Sequence, residues 1–321
     1  MKQAVLIVSK TFIGGGLETR INSIVDKYSN QYTFFLLTKT NRDIMNVQPS
    51  KNFKKIYNWD ERLIALNNAQ IVSLHPFDIL QDFKEILQVS NKKIFYTLHG
   101  EYSLLEDFSV LGQKVDLFYS VSVKLIELFK NKYPQFKSKI KLFKNYYPFE
   151  IQSMERNIIT EKNILFSITN FSYWNYYNNL VNFIPEEYAI HFIGYNDVEK
   201  YNRRNIVYDG FVNIQKYLKE NKFFIGFSRG GYSAMDLIAH NIPTVLIYNR
   251  ENSLYRELLT RDNFEKLSNQ NFVTFNQSKD FDISNMLDLI KTNREKFICN
   301  DLLQKYNGIN YMPNPYILDF I

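Results

Sequence analysis

Apolar residues come in short continuous runs, separated by longer segments where they recur every three or four positions. The runs at 4–8, 33–37, 71–74, 93–98, 117–121 and 141–144 predict buried strands. Amphipathic segments at 17–28, 77–89 and 123–133 predict helices between them. The series then restarts, with strands expected at 163–168, 189–193, 205–207, 223–227 and 244–247 and helices at 179–184, 214–220 and 234–240. Strands alternating with helices imply parallel βαβ units. The restart follows a polar stretch, 145–162, that holds Pro148 and several charges. A boundary near residue 150 gives two Rossmann-like α/β domains facing a cleft, 1–150 and 151–321, with the last helix able to pack back on the first.

Composition narrows the class. The chain has 321 residues, 45% hydrophobic and 22% charged, which excludes general disorder. A single cysteine, Cys299, excludes a disulfide framework and a cysteine-rich zinc site. No run approaches the roughly 18 apolar residues of a membrane span. The apolar run after Met1 is too short for a secretory signal, so a cytoplasmic protein is expected.

The charge is uneven. The chain carries 39 Lys+Arg against 33 Asp+Glu, and residues 1–150 hold 21 and 14 of them, leaving 18 and 19 for 151–321. All the excess positive charge therefore lies in the first half, where an anionic partner or a merely solvated basic face accounts for it. Within 129–144, six lysines interleave with Phe129, Tyr133, Phe136 and Phe143, a pattern suited to the surface of an anionic membrane. No nucleic-acid-binding signature accompanies it, so nucleic acid is not an expected partner.

Three stretches can carry chemistry. Gly14-Gly15-Gly16-Leu17-Glu18-Thr19-Arg20 joins the first strand to a helix, where glycines allow close approach and the helix start favours an anion; tight packing is the other reading. His99 and Glu101 follow a strand end, the edge where open α/β sheets bind ligands, and His99 can act as a base or as a donor to a sugar hydroxyl. Gly226 to Val245 runs from a strand through Arg229-Gly230-Gly231-Tyr232-Ser233 into a helix bearing Asp236. Its amides suit a phosphate and Asp236 a ribose, although Ser233 as N-cap with Asp236 as capping-box acid fits the spacing equally well. The four histidines are scattered, and neither an HxxxH nor a DxD pattern points to a metal.

Taken in order, these stretches resemble GT-B glycosyltransferases, especially the family-4-like group. Gly14 to Thr19 is similar to that family's GG-x-E-T/R loop, Thr97-Leu98-His99-Gly100 to its T-x-H-G/D strand end, and Tyr119 to Ser122 to its x-x-V-S. Lys144-Asn145 resembles the P-N-G before the linker, Asp209-Gly210-Phe211-Val212 the x-G-x-V turn near the nucleotide base, and Gly231 to Pro243 the donor motif. The resemblance implies a metal-independent transferase without a cofactor. It would move a sugar from a nucleotide-sugar donor to a glycan or glycolipid acceptor, as in bacterial surface polysaccharide synthesis, peripheral to the inner face of the cell membrane. It implies catalytic roles for His99 and Glu101, and donor contacts for Gly15, Gly16, Gly210, Phe211, Arg229, Gly230, Gly231, Tyr232, Ser233 and Asp236. Two departures stand out. Ser228 and Asp236 occupy the positions of the E-x7-E pair, and 168–175 lacks the usual diphosphate-binding Arg and Lys, leaving Arg203, Arg204 or Arg229 to supply the charge. A non-catalytic accessory or glycan-binding protein and a sugar-nucleotide epimerase of the same fold are the alternatives.

Overall fold

The computed structural model describes residues 2–12, 16–41, 48–75, 91–151, 162–167, 180–194, 205–210, 212–250, 253–274 and 282–317. The chain divides into unit 1, Met1–Tyr146 with Met312–Ile321, and unit 2, Tyr147–Tyr311.

Unit 1 runs β1 (Gln3–Ser9), β2 (Thr11–Phe12), α1 (Gly16–Tyr28), β3 (Tyr32–Leu37), β4 (Thr40–Asn41), β5 (Phe53–Tyr57), α2 (Arg62–Asn67), β6 (Ile71–His75), β7 (Lys93–Leu98), α3 (Phe108–Leu111), β8 (Leu117–Ser120), α4 (Val123–Lys132) and β9 (Ile140–Leu142). Seven of the strands form one parallel sheet in the order β5-β3-β1-β6-β7-β8-β9. Ala4 to Ser9 and all of β6 are buried, as expected when both faces of a parallel sheet are covered. Successive strands are added on one side of β1 and then on the other, so the order reverses between β1 and β6. The carboxyl ends at that reversal are where open α/β sheets take ligands. The expected helix at 77–89 lies outside the described residues.

Strand β5 was not expected, because Lys54, Lys55 and Ile56 are exposed and only Phe53 and Tyr57 turn inward. An edge strand with two buried residues leaves almost no apolar signal. The aromatics between 129 and 143 also differ from expectation: Phe129, Tyr133, Phe136 and Phe143 are all buried. Phe108 packs edge-on against Phe118, Phe129 and Tyr133, and Phe129, Tyr133 and Phe136 belong to the core, while Lys130, Lys132 and Lys137 are exposed with Leu142 and the polar residues between them.

Of the segment that returns to unit 1, the described residues 312–317 are not helical. Tyr28 and Tyr119 donate to the carbonyls of Met312 and Pro315, each at 2.6 Å, and the buried Tyr316 ring meets Tyr32, Phe34 and Phe95.

Unit 2 runs β10 (Asn163–Ser167), β11 (Ala189–Ile193), β12 (Ile206–Gly210), α5 (Ile214–Glu220), β13 (Ile225–Ser228), α6 (Gly231–Ala239), β14 (Thr244–Arg250), β15 (Ser253–Leu258), α7 (Phe264–Asn269), α8 (Ile283–Asn293) and α9 (Asn300–Asn307). Its sheet order is β12-β11-β10-β13-β14-β15, parallel except for β15 against β14. The order reverses between β10 and β13, so the β13 end occupies the same topological position as the β6 end of unit 1. Residues 180–184 of the expected 179–184 helix bury Leu180, Val181 and Ile184.

Candidate functional site

Two polar clusters stand at the two strand reversals. In unit 1, α1 buries Glu18 and Arg20. Arg20 donates to Asn145 Oδ1 at 2.7 Å, to Lys144 O at 3.2 Å and to Phe143 O at 2.8 Å, and its guanidinium sits 4.5 Å from the centre of the Phe143 ring. The start of α1 and the Lys144-Asn145 pair thus meet through one arginine.

His75 ends β6 and His99 follows β7. The β6–β7 register places His75 opposite Thr97, two residues before His99 and therefore on the same face of the sheet. His75 Nδ1 lies 3.0 Å from His99 Nε2, and His75 Nε2 lies 3.3 Å from Ser73 Oγ. Two of the four histidines that looked scattered in the sequence are here a bonded pair. Burial and then the Arg20 charge push His75 down to about 3. Burial, His75 and Arg20 push His99 well below its ordinary 6.5. Both rings are neutral near pH 7, so each ring nitrogen in the pair either donates or accepts. A histidine so hard to protonate is a weak base, which favours hydrogen bonding to a sugar hydroxyl over proton abstraction. Ser103 Oγ accepts from the His99 amide at 3.2 Å, and Glu101 opens the short 3₁₀ turn Glu101–Leu105. Gly16 is the exposed first residue of α1, and Gly15 lies outside the described residues.

In unit 2, β13 ends at Ser228 and α6 begins at Gly231. Gly230 has φ +101 and Gly231 φ +59. A Cβ on Gly230 would lie 2.3 Å from Phe272 O, so only glycine fits there. Ser228 Oγ accepts from the Gly230 amide at 3.1 Å, and Asn271 O from the Gly231 amide at 2.8 Å. This corrects, for Gly230 and Gly231, the expectation that the amides of Gly230 to Ser233 face a phosphate: these two tie the turn together. The serine in the first E-x7-E position therefore has a structural task. Ser233 is not the helix N-cap, since its Oγ, inside the first turn, donates to Gly230 O at 2.9 Å and lies 2.6 Å from Ser228 Oγ. Tyr232 is buried in the apolar cluster with Tyr147, Met235 and Phe272, so its ring faces the core. Arg229, half-buried, sits between strand and helix.

Asp236 is buried and does not serve as a capping-box acid. Its Oδ1 accepts from Gln215 Nε2 at 2.6 Å and from Tyr147 OH at 3.1 Å, while Oδ2 takes no hydrogen bond among the described residues. Burial pushes the carboxyl up from 3.8 to about 7, with the two donors opposing the rise. Gly210 ends β12 at φ +64 and accepts from the Gly194 amide at 2.8 Å. Phe211, Arg203, Arg204 and 168–175 lie outside the described residues. Beside Gly210, Asp209 Oδ2 accepts from Tyr217 OH at 2.8 Å and lies 3.1 Å from His191 Nδ1, a cluster not anticipated from the sequence.

Among the described residues no three His, Cys, Asp or Glu side chains converge as metal ligands, and no helix is long and apolar enough to cross a membrane.

Two α/β units with largely parallel sheets of these orders constitute the GT-B fold of glycosyltransferase structures. HepE from Anabaena, solved in complex with UDP and glucose, matches with a TM-score of 0.66 at 10% identity over 97% of both chains. A glycosyltransferase from Rickettsia africae matches at 0.68 and 13% identity, over 97% of this chain and 96% of its own. A putative UDP-N-acetylglucosamine 2-epimerase from Listeria monocytogenes matches at 0.58 and 11%, over 97% and 94%. No family model matches the chain, and no curated protein matches its sequence.

Proposed function

We propose that the protein is a glycosyltransferase that takes a nucleotide-sugar, with UDP as the first candidate nucleotide, and transfers the sugar to a glycan or glycolipid without a metal. The observation that carries this reading is the Asp236 carboxylate, one turn into the helix that starts at the strand reversal of unit 2, with one oxygen tied and the other available to ribose hydroxyls. The UDP complex of HepE, matched along the whole chain, supports the choice of nucleotide.

In this reading unit 2 holds the donor. Asp236 takes the ribose, Arg229 and the positive end of α6 face the diphosphate, and the charge that develops as the diphosphate leaves is met by that arginine and the helix dipole. Unit 1 supplies the acceptor groups. The neutral His99 imidazole orients a hydroxyl of the transferred sugar, and Glu101 receives the proton of the acceptor hydroxyl as its oxygen bonds to the anomeric carbon. The excess lysines of unit 1 hold the protein electrostatically at an anionic membrane surface. Because the interleaved aromatics are core residues, this attachment involves no insertion of those rings.

Calorimetric titration with UDP, GDP, CMP and their sugars tests the proposal. UDP or a UDP-sugar should bind, and binding of none would favour the accessory reading. The likeness to the Listeria protein keeps an epimerase as the second reading. Incubation of a bound nucleotide-sugar without acceptor separates the two, since only an epimerase would change the sugar.

A further inference from the structure

We infer that Tyr147 and Gln215 are positioning residues for Asp236: by donating to its Oδ1 they turn Oδ2 outward, toward a ligand diol. This rests on the donor role given to Asp236 above. The three side chains close a ring of hydrogen bonds. Gln215 Nε2 donates to Asp236 Oδ1 at 2.6 Å and to Tyr147 OH at 3.0 Å, and the Tyr147 hydroxyl donates to the same Oδ1 at 3.1 Å. Every proton in the ring then has an acceptor, and the carboxylate has a fixed orientation. The ring is anchored as well. Tyr147 is the first residue of unit 2, its amide donates to Asn307 O at 2.7 Å, and its ring is buried in the α6–α9 cluster. Gln215 stands in the first turn of α5, whose N-cap Asn213 accepts from the Lys216 amide.

The ring also governs charge. With Oδ1 taken by its two donors, an ionised Oδ2 offers two lone pairs to a vicinal diol, whereas a protonated Oδ2 offers one acceptor together with a donor. Burial already holds Asp236 at about 7 with both donors in place, so losing either favours the neutral acid near neutrality. The other titratable groups around it are His240 and Lys219. His240 Nδ1 lies 2.8 Å from Asp236 O one turn further along α6, and burial lowers its pKa, while Lys219 on α5 carries a charge that lowers it further. Neither donates to the carboxylate among the described residues.

The test uses Tyr147→Phe, which keeps the buried ring, and Gln215→Leu as a second variant on a different element. Carboxyl ¹³C NMR of aspartate-labelled full-length protein, with Asp236→Asn to assign the resonance, follows the titration without any ligand. The parent should titrate near 7, and each variant should titrate about one pH unit or more higher. Calorimetry with UDP and with uridine from pH 6 to 9 provides the second readout. Each variant should bind about fivefold or more weakly at pH 7, the fall in ionised carboxylate that a one-unit rise from about 7 gives, and recover most of that loss by pH 9. A merely structural role would weaken binding equally at every pH. Unchanged titration in both variants, or a loss that does not depend on pH, overturns the inference. If the parent binds no nucleotide, the donor reading fails, while the NMR titration still decides whether Tyr147 and Gln215 control this carboxyl.

Discussion

Replacing Gly230 by alanine should cost far more than the same change one residue later. At Gly230, φ is +101 and the added Cβ would meet Phe272 O at 2.3 Å, Phe272 C at 2.8 Å and Asn271 O at 3.2 Å. All three are backbone atoms in a segment with little freedom. Asn271 and Phe272 are already at φ 58 and 54, Asn271 O accepts from the Gly231 amide, and the Phe272 amide donates to Leu267 O at 2.7 Å. The backbone strain is worth about 1–3 kcal/mol and the overpacking a further 1–3 kcal/mol, together about 2–6 kcal/mol. At Gly231, φ is +59 and the nearest atom is the Asn271 side-chain nitrogen at 3.7 Å. Only the left-handed penalty of about 1–2 kcal/mol applies there. The difference, about 2 kcal/mol, corresponds to roughly thirtyfold faster amide exchange in the peptides around the turn when exchange is limited by opening. Hydrogen-exchange mass spectrometry of the parent and both variants measures it. Equal protection in the two variants, or a larger loss in Gly231→Ala, would show that the packing argument for this turn is wrong.

Three further outcomes follow from the same geometry. His75 titrates at about 3 in the folded protein against an ordinary 6.5, so the unfolded chain binds more protons between those values and unit 1 loses stability as pH falls through that window. His75→Gln should flatten the decline in unit 1 exchange protection between pH 7 and 5, and an unaltered slope would contradict the buried neutral pair. Asp236 has the opposite sense for stability, since a carboxyl raised from 3.8 to about 7 makes the folded state bind more protons and lose stability as pH rises between them. Asp236→Asn should therefore gain stability relative to the parent in urea titrations as pH goes from 5 to 8, while nucleotide binding weakens; a gain that does not grow with pH would count against it. Co-sedimentation with anionic vesicles should be abolished by high salt and by Lys130→Glu with Lys137→Glu. Those two lysines are exposed, whereas Lys132 and Lys139 already donate to the carbonyls of Leu104 and Val115. Persistence in high salt would show an apolar attachment instead.

The central parallel strands were legible because both of their faces are covered, so β1 and β10 read as unbroken apolar runs and β6 as one interrupted only by Ser73. Two of the edge strands were not, since β5 shows only Phe53 and Tyr57 to the core and β15 carries Arg256 and Glu257, while the edges β9 and β12 overlap the expected 141–144 and 205–207. The candidate residues at strand ends were visible as residue types, but their partners were not. His75 and His99 are 24 positions apart and meet through the β6–β7 register, so a topology taken one step further, with adjacent strands aligned, would have paired them. Tyr147 and Asp236 are separated by 89 positions, and no local pattern connects them. The spacing of Gly230, Ser233 and Asp236 fitted both a phosphate turn and a capping box. Only the positive φ angles and the hydrogen bonds of the glycine amides show that the turn does neither in the simple form.

In the proposed function the turn from Ser228 to Asp236 receives a nucleotide-sugar. This is tested most directly by calorimetric titration of UDP into the folded parent, Arg229→Ala and Asp236→Asn proteins at pH 8, where the carboxyl is ionised. The parent should bind. Arg229→Ala should weaken UDP by roughly ten- to a hundredfold, the worth of one charge-assisted contact, with uridine little changed. Asp236→Asn should weaken uridine and UDP alike. Parent-like binding of UDP by both variants would place the nucleotide elsewhere on the molecule and contradict the account.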